Sequence, residues 1–329
     1  MPGAGLPYQL LEATVRKMAT EMEDWAFLQL AYTTLAATSA LLPDALIVER
    51  GRIISQRARV ARQLGATTAA ALYHDEVARL GLEHDAAELT ALADGGHGSL
   101  ALLAGNYPAA RRRFLNVLAL ADAPVRSRAM AHSGLMFCAA TREDYDAAAH
   151  HAWEAYTGTP DTVEQIDLLV NLSHVLLLAG HPQAALRGFS AVLGRHSHPR
   201  AALPAFGGAA LAAVGARGVV SGRGVVRFAA ARIEALVANL GGGAVPMLAF
   251  PCASALVEVS EALHVVGEDD WAARCAHAGS RIAARNGFHH LTHRLEKPWP
   301  TVQSVPVTPT RRVIVEQVEA LKGAELVGV

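Results

Sequence analysis

Aromatic residues are scarce in this chain, 5% of 329 residues, and cysteines number only three. A core poor in rings has to be filled by small aliphatic side chains, and the abundance of alanine suits helices whose backbones approach closely. Cys138, Cys252 and Cys275 are scattered, with no C-x-x-C pair, so neither a disulfide framework nor a cysteine zinc site is expected; buried, reduced thiols are. An excess of charge of either sign is also missing: 29 basic residues face 30 acidic ones, a formal net charge of −1. Without a basic patch there is no electrostatic footprint for direct nucleic-acid binding. The first residues, MPGAGLPYQLLEATVRK, lack a basic segment followed by an apolar one, as a secretion signal requires. The most apolar later stretches carry Arg217, Arg223 and Arg227, or Glu258 and Glu261. On that reading no run reaches the roughly 18 charge-poor residues of a membrane span, and a cytoplasmic protein with no membrane partner is expected.

Catalytic signatures are missing as well. The chain has no HExxH, no G-x-S-x-G elbow, and no Lys-Ser/Thr after its glycine runs Gly207-Gly208 and Gly241-Gly242-Gly243. Histidines cluster at His289, His290 and His293, at His150-His151 and at His196-x-His198. Of these, His289 and His293 have the i, i+4 spacing that shares a metal on a helix, but no acidic third ligand stands beside them. Histidines near a helix end are also favoured there by the helix dipole. We therefore expect no metal and no cofactor, and a metal-dependent enzyme is the weakest of the functional readings.

What is present is a repeat. Gly98 to Pro124 reads as two helices folded back on each other at Gly105-Asn106-Tyr107, with Ala110 and Phe114 one turn apart on the second. The turn returns at Glu143-Asp144-Tyr145 and at Gly180-His181-Pro182, 38 and then 37 residues on, followed by Ala148, Ala152 and Ala155 or by Ala185 and Phe189. Earlier, Gly65 marks a looser version, 40 residues before Gly105; later, Gly267-Glu268-Asp269-Asp270 separates helices 253–266 and 271–285. Between them the glycines of 215–224 predict a degenerate unit with a long inter-helix loop, and Gly241–Gly243 a flexible joint. Lys297 to Pro309, with four prolines, reads as an extended linker, and Arg312 to Leu321 as a last helix that caps the stack. Self-similarity at such a period marks an all-α solenoid of helical hairpins. The expected organisation is N-terminal helices over 1–44, repeats over 45–296 and linker plus terminal helix over 297–329.

These residues resemble the tetratricopeptide repeat family, whose unit of about 34 residues has a small residue in the first helix, a glycine-containing turn, an alanine early in the second helix, an aromatic one turn on and a closing proline. Gly98, Gly105, Tyr107, Ala110 and Phe114 fit in order, as do Tyr145, Ala148, Ala155 and Pro160, and Gly180, Ala185 and Phe189. The match is best over Ala91 to Pro199 and weaker over 253–287, where Ala276 replaces the aromatic; the spacing of 37 to 40 residues is longer than the family's. The resemblance implies a right-handed superhelix of hairpins and a groove, lined by the first helix of each pair, that binds a protein or peptide.

On that template the helix over 45–64 turns Arg52, Gln56, Arg59 and Gln63 into the groove, a polar row whose guanidinium forks suit carboxylates and peptide carbonyls. The helix after Pro160 presents Asp167, Val170, Asn171 and His174 there; peptide-binding family members grip backbone with an asparagine at the place of Asn171. Phe137 is a candidate apolar anchor. The reading that follows is a non-catalytic binding scaffold, with self-association possible through its degenerate part. A second reading makes the chain the sensor or regulatory module of a bacterial transcriptional regulator, acting on DNA only through another domain or subunit.

Overall fold

The computed structural model describes residues 6–24, 27–159, 162–195, 198–241, 246–286, 288, 291 and 309–321. Among these residues the chain is all helical: α1 (Leu6–Asp24), α2 (Leu28–Leu41), α3 (Ile47–Gln63), α4 (Thr67–Glu83), α5 (Ala87–Leu103), α6 (Tyr107–Ala119), α7 (Val125–Ala140), α8 (Tyr145–Gly158), α9 (Thr162–Leu178), α10 (Pro182–Arg195), α11 (Pro199–Asn239), α12 (Pro246–Val265), α13 (Asp269–Asn286) and α14 (Pro309–Glu319). They form two compact units, 1–141 and 142–329.

In the first unit each helix packs on the next, and the odd-numbered helices α1, α3, α5 and α7 also pack in succession on one another. That double pattern is what a stack of helical hairpins requires. The turns have a common physical cause. Gly65, Gly105, Gly180, Gly218 and Gly267 all have positive φ, between +70° and +82°, where a Cβ is strained. At four of them the following N–H bonds back to a carbonyl five residues earlier: Ala66 to Ala61, Asn106 to Ala101, His181 to Leu176 and Glu268 to Leu263. This is the Schellman closure of a helix end. The side chain of Asn106 then accepts from the Ala109 N–H, and Asp144 from the Ala147 N–H, so the next helix begins capped. At the turn before α8 the left-handed residue is Glu143, φ 60°.

Rings locked into glycines hold neighbouring helices in register. Phe114 on α6 is 1% exposed. It lies between Gly98 on α5, where an added Cβ would stand 2.7 Å from its Cε1, and Gly134 on α7, which it approaches more closely still. Around it pack Ala91, Ala110, Val117, Ala131, Leu135 and Cys138. One repeat earlier the equivalent of Phe114 is His74, whose ring fills the place of a side chain at Gly96.

In the second unit α8 to α13 pack successively, α9 also meets α11, and the core of α11, α12 and α13 is built mainly from alanine, valine and leucine. Phe189 on α10 packs into Gly208 on α11. The long loop expected over 215–224 is reduced to a break at Gly218 (φ 75°, ψ 172°), with helix on both sides. Gly222 makes this possible, because an added Cβ there would lie 2.9 Å from the Ala213 carbonyl oxygen. The terminal helix also departs from expectation. Instead of covering α13, the last helix of the stack, α14 packs mainly on α8 and α10. Of the expected joint, Gly241 alone is described, again with positive φ (66°).

The expectation that no run is long and apolar enough for a membrane span needs correcting. The 199–239 run and Leu248–Val265 are long and apolar enough to cross a membrane by length and composition, with mean hydropathies of 1.5 and 1.3. Glu258 and Glu261 do not outweigh the aliphatic residues around them. Both helices place half or more of those apolar windows inside the second unit, and Gly218 breaks the longer one.

Candidate functional site

Arg52 and Arg59 lie on α3, on the side that meets α1 and α5. Arg52 donates from Nε and Nη2 to the two carboxylate oxygens of Glu88 on α5, at 2.6 and 2.7 Å. The fork matches the carboxylate in both bonds, and the hydrogen bonds to Glu88 raise the Arg52 pKa further. Arg59 donates from Nη2 to Oε1 of Glu23 on α1 at 2.7 Å. Gln56 Nε2 lies 3.1–3.2 Å from the Arg16 carbonyl, Thr20 Oγ1 and Glu23 Oε1.

The row expected to line an open groove is thus largely taken up in joining α3 to its neighbours. Gln56 is 7% exposed and lies under α1, so it is closed to a ligand. The reason is that α1 extends the odd-helix stack by one more member, which the sequence pattern did not assign to it. Gln63 keeps a buried Oε1 with no hydrogen-bond partner.

Arg62, one turn from Arg59, was missed because it falls between the positions of that row. Among the described residues no hydrogen bond or ion pair holds its guanidinium. Burial pushes its pKa down, the Arg59 charge adds to that, and Glu23 opposes it. Glu23 is already shared by Gln56 and Arg59. Arg59, Arg62 and Glu23 therefore leave one positive charge unbalanced in a partly desolvated place, which is where an incoming carboxylate gains most. His74 stands close enough to feel Arg62. Its own pKa is pushed down to about 4, mainly by burial, then by His97 and Arg62, with Asp75 opposing. It is accordingly a neutral packing residue at pH 7.

Phe137 is on α7 of the same unit and is 47% exposed. It stands six residues before the left-handed Glu143, as Arg59 stands six before Gly65 and Ser99 six before Gly105. Arg59, Ser99 and Phe137 thus hold corresponding places on α3, α5 and α7.

In the second unit, α9 carries Asp167, Asn171 and His174. Asp167 Oδ2 is 3.2 Å from Arg200 Nη2 on α11. His174 sets its ring edge-on to Phe189, centroids 4.8 Å apart, with Nδ1 3.0 Å from the Val170 carbonyl and Nε2 3.5 Å from Glu258 Oε1 on α12. Asn171 is partly exposed between them, and no side-chain hydrogen bond holds it among the described residues. Val170 is buried in the core.

The three cysteines are buried. Burial pushes the thiols of Cys252 and Cys275 up to about 11 and about 12, with Glu234 adding to the second. Both are protonated and poorly nucleophilic at neutral pH. No group of three or more metal-ligating side chains occurs among the described residues; His289, His290 and His293 lie outside them.

Compared with known families and curated proteins, the chain matches no family model and no curated protein.

Proposed function

We propose that this chain is a non-catalytic, tetratricopeptide-like scaffold of the cytoplasm that binds a protein or peptide through the odd-helix side of its first unit. Arg62 carries the reading. Among the described residues it is a partly buried guanidinium without a counter-ion, beside Arg59, whose charge is already matched by Glu23. An aspartate, glutamate or C-terminal carboxylate fits that deficit, and exposed Phe137 supplies an apolar contact two odd helices away. At about 10 Å between neighbouring axes, α3 to α7 is roughly 20 Å, a span of about six extended residues. Asn171 is the corresponding candidate for backbone contact in the second unit. A protein or peptide is favoured over nucleic acid by the balanced charge, and over a membrane by the inward packing of α11 and α12.

The test is binding of an immobilised library of extended peptides, each made with a free and an amidated C-terminus, to the wild type and to Arg62→Ala, Phe137→Ala and Arg52→Ala. Selected sequences should carry a carboxylate and lose at least tenfold in affinity with Arg62→Ala and severalfold with Phe137→Ala. Arg52→Ala, which only opens the clasp to Glu88, should cost less. Peptides bound equally by the wild type and Arg62→Ala would sink the proposal.

A further inference from the structure

Arg57 on α3 differs from Arg52 and Arg59 in that its partners are phenols and not carboxylates. Its Cζ lies 4.6 Å from the ring centroid of Tyr32 on α2 and 4.5 Å from that of Tyr73 on α4. Nη2 donates to the Tyr32 hydroxyl at 3.2 Å, and the two hydroxyls are 2.7 Å apart. Arg57 and both tyrosines are partly buried. Stacking on two ring faces fixes the plane of the guanidinium and leaves its edge free to bond. The place is a cleft, since α2 and α4 each pack on α3 and scarcely on one another.

Counting donors against acceptors shows what the cluster is short of. Arg57 can only donate. Of the two phenol protons, one makes the bond between Tyr32 and Tyr73; whichever ring supplies it, the other proton has no acceptor among the described residues. Arg57 Nε is buried and is likewise without a partner. Glu76 is felt by Tyr73 through space, but among the described residues no carboxylate bonds the Arg57 guanidinium. The Tyr73 hydrogen bond draws the Tyr32 pKa down; burial works against it, and Arg57 adds to it. Nor does the repeat itself require these residues. Arg57 stands eight residues before Gly65, and the same place before Gly105 and Glu143 is held by His97 and Leu135; Tyr73, eight after Gly65, is matched by Arg113 and His151.

A surplus of fixed donors around a positive charge that no carboxylate matches is the chemistry of an oxyanion site. A phosphate monoester suits it better than a carboxylate, because its three terminal oxygens and near-double charge can take the guanidinium edge and the phenol proton together. We propose that Tyr32, Arg57 and Tyr73 form a phosphate-binding site in the cleft between α2 and α4, separate from Arg62, that takes free phosphate or a phosphate monoester.

The probe is inorganic phosphate, titrated calorimetrically into the full-length chain at pH 7 with ionic strength held constant by sodium chloride, so that screening is the same throughout. The wild type should bind phosphate saturably, and acetate at least tenfold more weakly. Arg57→Ala should weaken phosphate binding at least tenfold. Tyr32→Phe and Tyr73→Phe each leave one phenol proton free, so each alone should cost little, whereas the double variant, which keeps both rings, should lose severalfold. Arg62→Ala should leave phosphate binding unchanged, which keeps this test apart from that of the peptide site. A phosphoserine peptide bound more tightly than inorganic phosphate would place the group on a protein segment; equal affinity would assign the site to free phosphate or a small phosphorylated molecule. Phosphate that does not saturate, or that folded Arg57→Ala binds as well as the wild type, would overturn the proposal. Should Arg57→Ala not fold, unchanged affinity in the double tyrosine variant would do the same.

Discussion

The ring of His74 has the position that Phe114 holds one repeat later, and this difference makes the first unit acid-sensitive. The imidazole is 4% exposed, its Nδ1 is buried without a partner, and its pKa falls to about 4. In the unfolded chain a histidine titrates near 6.5. Between those values the unfolded state binds the proton and the folded state does not, so stability falls as pH drops from about 6.5 towards 4 and levels off below that. The loss is slight at pH 7 and amounts to about 2 kcal/mol at pH 5. His74→Phe removes the titration and the unsatisfied nitrogen together, and it sets against Gly96 the kind of ring that Gly134 already receives. At pH 7 it should be as stable as the wild type or about 1 kcal/mol more so. Urea titrations at pH 7 and pH 5, followed by hydrogen exchange of α4 and α5 amides, report on this unit specifically. The wild type should lose about 2 kcal/mol more than His74→Phe between the two pH values. An equal loss in both would refute the assignment of acid sensitivity to His74.

Gly134→Ala should destabilise the first unit by about 2 kcal/mol, because the new methyl meets the Phe114 ring. Urea titrations of that variant, of Phe114→Leu and of the double variant should show a double cost smaller than the sum of the singles, since the shorter side chain makes room. Glu143→Gly should stabilise the chain by ~0.5 kcal/mol: a left-handed side-chain residue costs about 1–2 kcal/mol, partly offset by the greater chain entropy of glycine. Glu143→Ala, measured in the same thermal melts, should bring no such gain.

Much of the fold was legible because its causes are local. A helix must end somewhere, and an end that turns through positive φ selects glycine, so the punctuation at Gly65, Gly105, Gly180 and Gly267 could be read along the chain. Gly98 and Phe114 were each legible as members of the repeat pattern, but that the ring fills the gap left by the glycine is a fact of the packing. Gly134 and Gly96 were not legible in that way. Each receives a ring from the preceding hairpin, and a residue's partner in another repeat leaves no mark in its own neighbourhood.

The candidate site was less legible. The sequence singled out the polar row on α3, but counterions decide which member of such a row is open. Arg52 and Arg59 are matched by Glu88 and Glu23, which lie 36 residues away in opposite directions along the chain. Arg62 stands out only once those pairs are formed.

By itself the sequence determined the helical class, the hairpin period and the turns, all consequences of side-chain size and backbone conformation within a few residues. Only the tertiary structure decided where α1 and α14 lie, that a single glycine at 218 suffices for a turn, and which arginine of α3 has no hydrogen bond or ion pair among the described residues. These are set by packing between helices distant in sequence, where the competition for a limited number of carboxylates and glycine gaps is resolved.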